Sequence, residues 1–103
     1  MSQPVVVASV TDPYGRRIIL DADGWQHICN EHPEMAPYQA AIEATLSHPD
    51  ERYADPRSGR ERYCRQQVGP SQWCFVVIDF LVDPARVVTA FGIRRIPRGW
   101  QRL

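Results

Sequence analysis

A chain of 103 residues is the length of one domain, because domains usually run to about 100–150 residues and a shorter chain does not close two cores. A hydrophobic fraction of 44% beside 23% charged residues and zero net charge excludes a disordered tail, and no stretch approaches the ~18 consecutive apolar residues of a membrane helix. The start, Met1 to Val10, lacks a basic region followed by a long apolar one, so residues 1–103 are expected to form a single cytoplasmic domain with no membrane partner.

In chain order, Val5 to Val10 is a β-branched strand, and Asp12-Pro13-Tyr14-Gly15 places proline and glycine where a type I turn favours them. Arg17 to Leu20 is a second short strand paired with the first. Asp21 or Asp23 then caps a helix in which Trp25, Ile28, Cys29 and His32 fall at i, i+3, i+4 and i+7 on one face, and Pro33 ends it. A second helix opens near Pro37, runs through Tyr38, Ala41, Ile42, Thr45 and Leu46, and closes at His48-Pro49.

Past Asp50 the period changes. Residues 51–59 read as a short strand entering an exposed loop, followed by strands over Glu61 to Val68, Gln72 to Phe80 and Arg86 to Arg95. Trp73 to Ile78 is apolar on both faces and belongs inside the sheet. The expected fold is α+β: two N-terminal helices packed on one face of an antiparallel β-meander of about four strands, plus a short N-terminal hairpin.

Charge is unevenly shared. Residues 1–51 hold two arginines against eight acids, and residues 52–103 hold ten arginines against four. Every cation is arginine, whose planar fork grips phosphate or carboxylate where an ammonium acts as a point charge, although a GC-rich coding sequence accounts for the lack of lysine equally well. The basic half points to an anionic partner. Cys29, Cys64 and Cys74 are odd in number and widely spaced, which suits buried thiols in a reducing compartment rather than a disulfide framework.

The densest reactive segment is Trp25-Gln26-His27-Ile28-Cys29-Asn30-Glu31-His32-Pro33-Glu34. At about 100° per residue, His27 and Glu31 share a face opposite the apolar stripe, so core packing does not explain His27. His32 precedes a proline, which leaves its direction open between a core edge, a cap and a functional position. The two histidines are five apart, which meets neither zincin spacing, and no close cysteine pair exists, so no metal or cofactor is expected. The β half interleaves Arg60, Arg62, Tyr63 and Arg65 with Thr89, Phe91, Arg94 and Arg95. Alternation separates Arg62 from Tyr63 and Arg65, and puts Thr89 with Phe91. For any one of these residues a solvated sheet face or a core position is an adequate account.

Together they have a chemical reading. RNA is cleaved when one group takes the ribose 2′-hydroxyl proton, another protonates the departing 5′-oxygen, and cations stabilise the charged phosphorane. Histidine, with an ordinary pKa of about 6.5, serves either proton role, arginine and threonine hold phosphate oxygens, and aromatic rings stack splayed bases.

The order Trp25-Gln26-His27-Ile28, His32-Pro33-Glu34, Thr45-Leu46 with Pro49-Asp50, Arg60 to Tyr63, Val76-Val77-Ile78 and Val87-Val88-Thr89-Ala90-Phe91 resembles the small phage- and mobile-element-associated nuclease domains grouped with the barnase, EndoU, colicin and RelE-like fold. The resemblance spans about Ile18 to Arg94 through scattered short matches. It implies a toxin-type, metal-independent endoribonuclease without a cofactor. His27 and His32 match the histidine motif, and Thr89 with Phe91 resembles the Thr-x-aromatic motif of EndoU-like members, Phe91 standing where those carry tyrosine. Arg62 or Arg65 would replace a lysine that some relatives use. The expected catalytic set is therefore His27, His32, Arg62, Arg65 and Thr89, with Tyr63, Arg60, Phe91 and Arg94 binding RNA. An antitoxin or immunity protein is a further partner that the likeness leaves room for. The alternative is a catalytically inactive RNA- or protein-binding module on the same fold, suggested by the zero net charge and by the basic, tryptophan-bearing tail Arg94 to Arg102, which reads as a docking surface or a dimer contact.

Overall fold

The computed structural model describes residues 5–103, so the first four residues of the segment read above as lacking a leader lie outside the described part. Val6–Thr11 (β1) and Arg17–Asp21 (β2) pair antiparallel. Asp12 fixes the turn between them, its Oδ1 accepting from the backbone N–H of Tyr14 at 2.9 Å and of Arg16 at 2.8 Å. Asp21 caps the helix Ala22–Glu31 (α1), accepting from Gly24 N at 2.7 Å.

Pro33 ends α1 as its ring requires, and His32 leaves helical geometry at φ −134°, ψ 74°. A single 3₁₀ turn over Pro33–Met35 follows, with Met35 fully buried. That anchor delays the second helix, Gln39–Ser47 (α2), beyond the Pro37 start expected from sequence. Ala41, Ile42, Thr45 and Leu46 are its buried face, and Thr45 Oγ1 donates to the Ala41 carbonyl at 2.7 Å.

Glu51–Ala54 (β3), Arg60–Gln66 (β4), Trp73–Asp79 (β5) and Ala85–Ile93 (β6) pair antiparallel in succession. The expected architecture, two helices on one face of an antiparallel meander of about four strands plus a short hairpin, is overturned. The chain is an α+β domain with two helices on a single six-stranded mixed sheet of order β1-β2-β6-β5-β4-β3. The hairpin joins the sheet through β2, which runs parallel to β6 at Ile18–Ala85 and Ile19–Arg86. The physical reason is twofold. Val10, Ile18 and Leu20 need cover, and pairing beside β6 brings them into the core under the helices while occupying an otherwise open strand edge. A parallel pairing between segments far apart in sequence leaves no turn signal for a sequence reading to find.

The sheet has two unlike faces. On one, Ile28, Met35, Ile42 and Leu46 from the helical side pack on Tyr63, Cys74, Val76 and Ile78. On the other, Tyr53, Cys64, Phe75 and Val77 pack against Trp73 and Phe91 of the sheet and against Ile96 and Trp100 of the C-terminal tail, not against a helix. The tail lies along β3: Ala54 N donates to the Gln101 carbonyl at 2.8 Å, and Leu103 N to Arg52 at 2.9 Å. Among the described residues no helix is long and apolar enough to cross a membrane.

Candidate functional site

The expected site residues divide between the two faces. Tyr63 is fully buried on the helix side, so its ring presents no surface to an RNA. Its hydroxyl accepts from Arg16 Nη2 and donates to Asp12 Oδ2, both at 2.5 Å. Burial raises the Tyr63 hydroxyl and the bond to Asp12 raises it further, so it stays protonated. Arg65, on the same side as Tyr63, donates to the His48 carbonyl at 2.6 Å. Cys64 and Cys74 are buried, and burial pushes the Cys64 thiol up to about 12, which makes it inert.

The opposite face assembles what remains. β6 carries one residue more than β5 between the pairs Val77–Thr89 and Ile78–Val87. This bulge turns Val87 toward the helices while Thr89 and Phe91 face the other way, in register with Val77 and Phe75. Arg62 pairs with Val77 across β4 and β5 and shares that face, as does Arg60 by alternation.

Helix α1 delivers the imidazole. It passes β6 closely at Gly24, where a Cβ would stand 3.5 Å from the Val87 carbonyl oxygen. From Gly24 to His32 the helix advances by about 12 Å, close to the ~13 Å that four strand residues cover from Val87 to Phe91. The proline-enforced turn at His32 then lays its ring on Phe91, with centroids 4.6 Å apart and planes 25° apart. Nδ1 of His32 stands 3.6 Å from Glu34 Oε1, an ion-pair distance if the ring is protonated.

From His32 the rings continue across the sheet. Phe91 meets Phe75 at 4.7 Å, Phe75 meets Trp100 at 5.1 Å, and the Arg62 guanidinium lies 4.3 Å from the Trp100 ring centroid. Gly99, at φ +88°, makes the left-handed turn that folds Trp100 back onto the sheet. Arg62 Nε donates to Asp55 Oδ2 at 2.9 Å. Burial alone would raise the Asp55 carboxyl, but the Arg57 N–H and the Arg62 guanidinium bring it below its ordinary value, so it stays charged. Beside this pair is a cleft of about 180 Å³ lined by Ala54, Asp55, Pro56, Arg62, Trp100 and Gln101.

Thus His32, Phe91, Thr89, Arg62 and Arg60 share one face. His27 is exposed on α1 and makes no ion pair, hydrogen bond or ring contact among the described residues; Arg94 is exposed beyond the end of β6. Sequence reasoning missed Glu34 as a partner of His32, and Trp100, Phe75 and Asp55 as parts of the same surface. The Pro33-Glu34 step was the one local signal, since the turn it forces places both side chains together. A larger cleft of about 430 Å³ lies at the β1–β2 turn among Gly15, Arg17, Phe80 and Asp83, but its inner cation, Arg16, is already held by Asp12 and Glu61. Among the described residues no three His, Cys, Asp or Glu side chains are grouped to hold a metal ion.

The chain matches no protein-family model, no curated protein and no solved structure.

Proposed function

We propose that this chain is an endoribonuclease that binds single-stranded RNA across the aromatic face and cleaves it beside His32 by acid–base chemistry. The observation that carries the reading is the stacking of His32 on Phe91, which sets a half-buried imidazole against the strand face that also carries Thr89. Bases stack on ring faces of this kind, and a threonine hydroxyl two residues along the strand, about 7 Å away, reaches a phosphate oxygen.

In the proposed reaction His32 takes the ribose 2′-hydroxyl proton, and that oxygen attacks the adjacent phosphorus. The bond to the 5′-oxygen breaks, leaving a 2′,3′-cyclic phosphate, and the 5′-oxygen is protonated by His27 or by water. Thr89 holds a phosphorane oxygen. His32→Ala is expected to lower cleavage of RNA in EDTA by about 10²–10⁴-fold, measured by the appearance of cyclic-phosphate ends. Cleavage by His32→Ala at the parent rate refutes the assignment. A comparable loss in His27→Ala gives it the second proton role, whereas full activity gives that role to water.

A binding module without turnover is the second reading. It is favoured by Arg62, the arginine best placed on this face, being held by Asp55 and Trp100 instead of standing free for a phosphate. RNA binding that weakens with salt, without new chain ends, identifies it.

A further inference from the structure

The cleft beside Trp100 lies well away from His32 and has no part in the proposed chemistry. Its volume of about 180 Å³ is below the ~300–1,000 Å³ of pockets for drug-sized ligands and suits one planar ring. Arg62 offers a flat guanidinium to its wall, and only its Nε has a partner among the described residues, so both terminal nitrogens remain available. Arg57 and Arg98, next in sequence to the lining residues Pro56 and Gly99, are exposed. A planar apolar wall, a forked cation and exposed arginines fit a nucleobase with its flanking phosphates.

We propose that this cleft is a distal nucleobase subsite, which seats an unpaired base of the RNA strand at least two nucleotides from the bond cut beside His32. The inference rests on the proposed RNA-cleaving face. Phe91 is on β6 and Arg62 on β4, two strand spacings apart, so the lateral separation alone is about 10 Å. At about 3.4 Å per stacked base that distance takes three bases, and fewer if the strand is extended. Phe91 and Trp100 are the partly exposed rings at the two ends, held in place by the buried Phe75 packed against both. Duplex RNA cannot use it, because paired bases do not splay onto rings.

The test is an abasic scan on the full-length chain. Single-stranded oligonucleotides carrying one cleavable ribose are each given one abasic nucleotide at successive distances from it. Removing the base at the distal position is expected to raise KM about tenfold with kcat unchanged, the size of one base–aromatic stack. Trp100→Ala is expected to bind the intact strand about tenfold more weakly and to be insensitive to the same abasic site, with circular dichroism confirming the fold. If Trp100→Ala does not fold, the wild-type chain decides through quenching of 2-aminopurine placed at the distal position. Uniform KM across the scan, an unquenched 2-aminopurine, or equal abasic losses in parent and Trp100→Ala overturn the subsite while leaving cleavage at His32 intact. Absence of both binding and cleavage for every strand overturns the RNA reading itself.

Discussion

Arg16 and Arg62 occupy opposite faces of the sheet and use the same chemistry to different ends. Each guanidinium lies over an aromatic ring, Arg16 at 3.8 Å from the Phe80 centroid and Arg62 at 4.3 Å from that of Trp100, and each pairs with a carboxylate. Arg16 uses all three nitrogens: Nε on Asp12, Nη1 and Nη2 on Glu61, and Nη2 also on Tyr63. Glu61 accepts in addition from Arg52 Nη1 at 2.9 Å. Arg62 is bonded through Nε alone among the described residues. A closed network holds β1, β2 and β4 together and has nothing left to offer a ligand, whereas a cation with unused donors beside a cleft does. Composition therefore does not separate structural from functional arginines; the number of donors left free does.

Removing Asp12 is the strongest way to break this contrast. Its side chain is fully buried, and Asp12→Ala strips Tyr63 and Arg16 of a shared acceptor, with an expected loss of about 3–5 kcal/mol in chemical denaturation. RNA cleavage per folded molecule is expected to be unchanged, and an equal fall in both would join the two faces functionally.

Acid is the milder probe of the same network. Burial alone would raise the carboxyls of Asp12 and Glu61, but the bonds from Tyr63 and Arg16 to the first, and from Arg16 and Arg52 to the second, hold both below their ordinary values. A carboxyl with a lowered folded pKa stabilises the fold above its unfolded value of about 4 and loses that contribution as pH falls through the folded one. Denaturation midpoints should therefore drop below about pH 4, and less steeply in Asp12→Asn. A parent and Asp12→Asn with parallel acid limbs would remove Asp12 from the account.

On the other face, Phe91→Leu is expected to cost least in stability, about 1–2 kcal/mol from the lost ring pairs with His32 and Phe75. Its RNA cleavage should nevertheless fall about tenfold or more, because the imidazole loses its platform. Full activity in this variant would make the His32 stack incidental.

The sequence by itself determined the α+β class, a cap at Asp21 or Asp23, the break at Pro33, the interior position of the Trp73–Asp79 strand and the common face of Thr89 and Phe91, because periodicity, capping and proline geometry act over a few residues. Only the tertiary structure decided that β2 lies parallel to β6, that Tyr63 is sealed against Asp12, and that Trp100 folds back over Phe75 beside Arg62. Each of these joins segments tens of residues apart, and such contacts are chosen by which apolar surfaces and charges remain uncovered once the local elements have formed.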